Sequence, residues 1–332
     1  MSGRWRLFLW PFSLVYRGFV LLWDIYWRLA PKVKLPCKVI SVGNIVAGGT
    51  GKTPIVIHIA NLAARAGFKT AVVAKGYKRI EKGLIELDDK SNWLDAGDEP
   101  LEIFQNNKDV RVYVAGSKTK AARKAAIDGA ELIIIDDGFQ HRKLDRDVDI
   151  VCLDQTKPLG PGGYLPMGLL REGPLALKRA NIIIYTSCDD LSARGKHMIN
   201  MNFQAKIFRS SSSIIGFTHL KSKESFNVDD IVSKKPIAFC GICVPVKFKH
   251  SLEKVNIKPR KFICFKDHHR YTQRDIDMLK EEAMCYGADC ILTTNKDAVK
   301  IGGFDFGNID VYFSVLEIEV SDASIFEKLL GL

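Results

Sequence analysis

KVISVGNIVAGGTGKTPIVIHIANLAARA, residues 38 to 66, decides the reading of this chain. Val39, Ile40 and Val42 form a short β-branched run that reads as a buried strand. Gly48, Gly49, Thr50, Gly51, Lys52 and Thr53 follow. A helix then opens on Pro54, whose missing N–H costs nothing at a first helical position. Ile55, Ile59, Leu62 and Ala66 recur at helical spacing and give that helix one apolar face. Strand, glycine-rich loop and helix N-terminus together make a phosphate cradle. Backbone N–H groups and the positive helix end point at the anion, Lys52 reaches the terminal phosphates, and the Thr53 hydroxyl sits on Mg²⁺. The motif G-x-x-x-x-G-K-[ST] asks for glycine at position 46, where this chain has Val46. The strand-to-helix setting outweighs that departure, so binding of a nucleoside triphosphate is the expectation.

The 332 residues suffice for two ordinary domains, and 47% hydrophobic with 26% charged residues is a globular composition. A net charge of +11 favours an acidic partner: nucleic acid, an anionic membrane or a phosphorylated substrate. The eight cysteines are scattered without a compact disulfide framework, which fits a reducing, cytosolic setting.

Outward from the loop, residues 4 to 30 hold four of the five tryptophans, Trp5, Trp10, Trp23 and Trp27. A spanning helix needs about 20 mostly apolar residues, and Pro11, Arg17 and Asp24 interrupt this stretch. Arg4, Arg6, Arg17, Arg28, Lys32 and Lys34 make it basic, each such charge being worth about 1 kcal/mol near an anionic leaflet. The reading is an interfacial helix lying in a membrane surface, with packing on the protein's own core as the alternative. Downstream, Lys69–Ala74, Arg111–Ala115, Leu132–Ile135, Asp149–Leu153 and Asn181–Tyr185 read as strands of a mainly parallel sheet. The central one ends in Asp136 and Asp137, the position of a carboxylate that holds Mg²⁺ beside a phosphate loop. Asp98 and Glu99 open a helix, where the helix dipole alone would favour them. The Gly/Pro-rich loop 159–174, which contains Arg171 and Glu172, is long enough to suggest function. Residues 187–235 are more polar, and a domain boundary is placed there. A second α/β unit follows, with strands expected at 236–243, 261–265, 290–293 and 309–320.

Two tempting motifs fail on spacing. Asn295-Lys296-Asp297 lacks the aspartate that guanine recognition needs, because position 298 is Ala298. Cys240 and Cys243 with Cys285 and Cys290 lack the tight paired knuckles of a structural zinc site. Nucleic-acid binding is not expected either, since aromatic residues are not interleaved with the basic stretches beyond the N-terminus.

Taken together, VGNIVAGGTGKTP (42–54), the Gly76-Tyr77 turn, GDEP (97–100), DDGFQH (136–141), LPMGLLRE (165–172), FCGICVP (239–245), DHH (267–269) and TTNKDAVK (293–300) resemble the tetraacyldisaccharide 4'-kinase family, the lipid A 4'-kinases of Gram-negative bacteria. The resemblance spans nearly the whole chain, and that family also lacks the first loop glycine. It implies transfer of the γ-phosphate of ATP, with Mg²⁺, to the 4'-hydroxyl of lipid A disaccharide 1-phosphate. It further implies an N-terminal membrane-associated helix (1–34), a P-loop ATP-binding domain (35–210) and a smaller C-terminal α/β domain (211–332) that closes the cleft. The enzyme is then expected on the cytoplasmic face of the inner membrane, with no nucleic acid and no obligate protein partner. Carried over by motif, Gly48, Gly49, Thr50, Gly51, Lys52 and Thr53 bind ATP, and Thr53, Asp136, Asp137 and Glu172 organise the metal. Asp98 is the base for the sugar hydroxyl and His268 its partner. The competing reading is a membrane-associated P-loop ATPase acting on a protein. Lys75 stands where the family commonly has Arg, and stays outside the site set.

Overall fold

The structure is a computed structural model that describes residues 8–76, 79–80, 82–188 and 204–332. Trp5 and the first two arginines of the basic flank, with Tyr77 of the Gly-Tyr turn, lie outside the described residues. The strands in chain order are β1 (Lys38–Gly43), β2 (Thr70–Ala74), β3 (Ile85–Glu86), β4 (Arg111–Val114), β5 (Leu132–Asp136), β6 (Val148–Asp154), β7 (Ile182–Thr186), β8 (Lys206–His219), β9 (Ser225–Phe226), β10 (Pro236–Cys240), β11 (Phe262–Cys264), β12 (Cys290–Thr294) and β13 (Asp310–Val320). They join one sheet in the order β11-β10-β12-β13-β8-β7-β6-β1-β5-β2-β4-β3, with β9 on β8. The fold is an α/β P-loop architecture, mainly parallel, with antiparallel pairs only at β3/β4, β8/β9 and β8/β13 among the described strands.

Period-two alternation explains the two covered faces of the central sheet. Ile40, Val42, Val72 and Ile134 point to one side, against Ile55, Val56, Ile59 and Ala63 of the helix Lys52–Arg65. Val39, Ala71, Val73, Ile133 and Ile135 point to the other, against Ala121, Ala122 and Ala125 of the helix Lys118–Ile127, whose small side chains let it lie close. The chain runs from β1 to β2, β4 and β5 on one flank, then to β6 and β7 on the other. The end of β1 is therefore the topological switch point, where such sheets open a crevice.

Ser210 to Ser213, inside the polar stretch expected to hold the domain boundary, form part of the strand β8. Its first residues pair in parallel with β7 (Ile182↔Lys206), and from Ser210 onward it pairs antiparallel with β13. Serine tracts carry no hydrophobic alternation, which is why this element, the longest strand described, gave no pattern. The expected division after residue 210 falls inside it. Asn295 likewise opens a helix, Asn295–Ile301, capped by the Thr294 hydroxyl, which accepts the Asp297 N–H at 3.1 Å.

The N-terminal helix Trp10–Leu29 docks by a few polar contacts. Ser13 Oγ donates to Tyr164 O and accepts from Met167 N, Tyr16 donates to Arg171 O at 3.1 Å, and Asp24 pairs with Arg28 and Arg142. Trp27 is buried, whereas Phe12, Phe19, Leu22, Trp23 and Ile25 are exposed on the outer face. Among the described residues no helix is long and apolar enough to cross a membrane.

Candidate active site

The phosphate loop leaves β1 and turns on two glycines in the left-handed region, Gly48 (φ 114°) and Gly51 (φ 75°), where a side chain would be strained. Asn44 Nδ2 donates to Thr50 Oγ1 at 2.9 Å, and Thr186 Oγ1, from the end of β7, donates to Thr50 O at 2.8 Å. The loop is thus pinned on both sides before any ligand arrives. Val46 bridges Leu170 and is buried among Phe139, Leu170 and Tyr185. The chain is not in the left-handed region at this position, so a β-branched residue serves there better than glycine.

The loop floors a cavity of 570 Å³ whose lining includes Gly48 to Thr53, Glu99, Asp137, Arg171, Cys243, His268 and Lys296. Ser210, Ser211 and Ser212 of β8 line it as well, their small side chains leaving room where the two halves of the sheet join.

Asp136 and Asp137, adjacent at the end of β5, sit in opposite environments. Asp136 is buried with Oδ1 lacking any hydrogen-bond partner. Burial, with the nearby Glu99 and Asp137 charges, raises its pKa to about 7. Asp137, at φ 48°, is drawn down to about 2, because the charges of Lys52, Lys118 and Arg171 overcome its burial. Arg171 Nη1 lies 2.8 and 2.9 Å from the two Asp137 oxygens, and Lys52 Nζ lies 3.7 Å from one of them. Lys118 Nζ donates to Asp137 O at 2.6 Å. Glu172 is buried, shared by Gln140 Nε2 at 3.0 Å and Arg179 at 2.8 Å.

These residues fit a divalent cation. An anionic oxygen in the interior without a donor calls for positive charge. No group of three or more His, Cys, Asp or Glu among the described residues could hold a metal by itself. Mg²⁺ commonly takes only one or two carboxylates and completes its shell with phosphate oxygens and water, so Asp136 and Asp137 would suffice for such an ion.

Across the cleft, His268 Nδ1 lies 2.7 Å from Asp98 Oδ2. Asp98 opens the helix Asp98–Asn106, its Oδ1 accepts the Glu99 N–H at 3.0 Å, and it is buried behind His268, which lines the cleft. Burial pushes the Asp98 pKa up, but the His268 hydrogen bond and the Lys296 and Lys300 charges outweigh it, and the net shift is downward. An ionised carboxylate only accepts, so Nδ1 of His268 carries the proton. His268 stands at φ 54°, a left-handed conformation held by the turn around it.

The structure thus brings Lys52, the loop glycines, Thr50, Thr53, Asp137 and His268 to one cleft, with Asp98 and Asp136 buried at its edges. Glu172 is held behind the cleft by Arg179 and Gln140. Sequence reasoning passed over Arg171, Lys118 and Lys296. Arg171 stood in plain view next to Glu172, but a basic residue on a helix or loop is by default a solvated one.

Comparison with known proteins gives one family throughout. The family model described as tetraacyldisaccharide-1-P 4'-kinase (LpxK) matches residues 5–331. A tetraacyldisaccharide 4'-kinase of Syntrophus aciditrophicus is 36% identical over 338 residues, covering 96% of this chain and 90% of that one. The enzyme of the same name from Geobacter metallireducens is 35% identical over 291 residues, covering 86% and 84%. Among solved structures, LpxK from Aquifex aeolicus in complex with ATP superimposes with a TM-score of 0.80 at 28% identity, covering 98% of both chains.

Proposed function

The chain belongs to the tetraacyldisaccharide-1-P 4'-kinase family, and from that membership we propose how its residues carry the reaction. The enzyme transfers the γ-phosphate of ATP to the 4'-hydroxyl of lipid A disaccharide 1-phosphate, giving lipid IVA. The ATP phosphates rest on Gly48 to Thr53, with Lys52 at the terminal oxygens. Thr53, Asp136 and Asp137 are the residues that would hold Mg²⁺, with Glu172 behind them on Gln140 and Arg179, and the unpartnered Asp136 oxygen supports that assignment. When bound, the metal neutralises charge on the transferring phosphoryl group.

Asp98 takes the proton of the 4'-hydroxyl as that oxygen attacks the γ-phosphorus; the bond to the β–γ bridging oxygen breaks and ADP leaves. With its pKa lowered, Asp98 is a weak base at rest. That suits a loose transition state, in which the nucleophile gives up its proton late and alignment matters most. His268, donating through Nδ1, fixes the carboxylate, while Lys52 and Arg171 meet the growing charge. The two halves of the sheet, which meet at β8, supply the two sides of the cleft. The exposed aromatic face of Trp10–Leu29 rests in the cytoplasmic leaflet of an anionic inner membrane, which presents the glycolipid substrate.

The observation that carries this reading is the contact of Asp98 with His268, which lines the same cavity as the phosphate loop. Turnover of γ-labelled ATP with and without the glycolipid tests it against a protein-directed ATPase. A kinase places label on the lipid and turns over slowly without it. An ATPase releases phosphate at the same rate in both.

A further inference from the structure

In the segment TTNKDAVK, whose Asn295-Lys296-Asp297 lacks the aspartate of a guanine-reading motif, two adjacent side chains reach in opposite directions. Lys296 Nζ crosses the cleft to Glu99 Oε1 at 2.8 Å, on the helix that Asp98 opens. The next residue, Asp297, is fully buried and turns the other way. Its Oδ2 accepts the Gly241 N–H at 2.9 Å and the Thr294 hydroxyl at 2.7 Å, and its Oδ1 accepts the Tyr271 hydroxyl at 3.0 Å. Lys300 Nζ lies 2.8 Å from the same carboxylate and balances its charge. Gly241 in turn accepts the His268 N–H at 3.2 Å through its carbonyl. Two consecutive residues therefore hold the two members of the Asp98–His268 pair, one through Glu99 and the other through Gly241.

We propose that the segment 294–300 is the positioning element of the catalytic pair, with Lys296 the residue that sets the charge and placement of Asp98. This rests on the reading of Asp98 as the base given above. A buried carboxylate stays ionised only while nearby positive charge outweighs its desolvation. The groups facing Asp98 are Glu99 and Glu102 on its own helix, Asp267 and His268 on the opposing loop, and Lys296, Asp297 and Lys300 on the helix Asn295–Ile301. Asp136 faces Glu99 from the end of β5. In that company Lys296 and Lys300 are the fixed cations, and Lys300 is already committed to Asp297. Burial raises the Glu102 pKa to about 8 and holds it protonated, so without Lys296 it is the Asp98 and Glu99 carboxylates that lose their shared cation, and Asp98 binds a proton at higher pH.

The experiment measures lipid phosphorylation from pH 4.5 to 9 for the wild type, Lys296→Met, Lys296→Arg and the double variant Glu99→Gln/Lys296→Met, with Asp98→Asn as reference. The expected result for Lys296→Met is a kcat at neutral pH lower by about tenfold or more, KM for ATP within about twofold, and an acid limb inside this window that the wild type lacks. Lys296→Arg restores most of kcat and removes the limb. The double variant, which leaves no unpaired charge behind, keeps the lowered kcat. Two results overturn the proposal: an unchanged kcat and profile in Lys296→Met, or a raised KM for ATP with no acid limb, which would make Lys296 a nucleotide contact. Failure of the base reading itself is distinguishable, because Asp98→Asn would then phosphorylate lipid like the wild type.

Discussion

Asp98 and His268 stand 170 residues apart in sequence and 2.7 Å apart in space, Oδ2 to Nδ1, at the edge of the cavity floored by the phosphate loop. Each comes from a different half of the sheet, so the pair exists only when both halves fold onto the β8/β13 junction. His268→Ala leaves the carboxylate in place but unaligned. The expected loss in kcat is about 10-fold to 10²-fold, smaller than that for Asp98→Asn, with KM for ATP unchanged in a steady-state assay.

Asp136 predicts a pH-dependent stability. Its folded pKa is raised to about 7, so between the unfolded value near 3.8 and pH 7 the folded state binds the extra proton, and stability falls as pH rises through that window. Above pH 7 the buried charge costs its full amount, up to about 4 kcal/mol. In metal-free buffer Asp136→Asn is expected to raise Tm at pH 8 and to leave it nearly unchanged at pH 4, and with Mg²⁺ restored the same variant is expected to lose lipid phosphorylation. Thermal melts at the two pH values decide this, and an equal Tm at pH 8 counts against the buried charge.

Val46 makes the missing loop glycine a packing choice. Restoring the consensus by Val46→Gly empties a buried site and loosens an extended backbone. The expected cost is about 2–4 kcal/mol, read as a lower Tm, without any gain in ATP affinity. A variant as stable as the wild type would show that Val46 is not structural.

The loop, the paired carboxylates at the end of β5 and the β/α alternation were legible because each is local: β-branched runs, glycine and lysine at fixed spacing, a strand ending in charge. β8 was not, since Ser210 to Ser213 carry no alternation and owe their strand to β13, which pairs with them just after Lys206 to Arg209 have paired with β7. The Asp98–His268 contact came from resemblance of motifs, because nothing in either short segment says what lies opposite. Arg171 and Lys296 were missed for the same reason: an ion pair between distant residues leaves no trace in local pattern.

The helix Trp10–Leu29 predicts membrane affinity carried by exposed side chains that the fold does not need. Phe19 and Leu22 are exposed and touch no core cluster. Phe19→Glu/Leu22→Glu is expected to keep Tm within a few degrees and to reduce cosedimentation with anionic vesicles by about tenfold or more, with wild-type binding also weakening as salt rises. Unchanged cosedimentation would remove the helix from the account of how the substrate is reached.

The central claim is a lipid kinase with a carboxylate base, and one measurement addresses it most directly. The purified protein is given γ-labelled ATP, Mg²⁺ and lipid A disaccharide 1-phosphate in detergent, and the initial rate of label transfer to lipid is compared with that of Asp98→Asn. The account predicts labelled lipid from the wild type and a rate lower by about 10² or more in the variant. Equal rates of lipid labelling in the two proteins would contradict it.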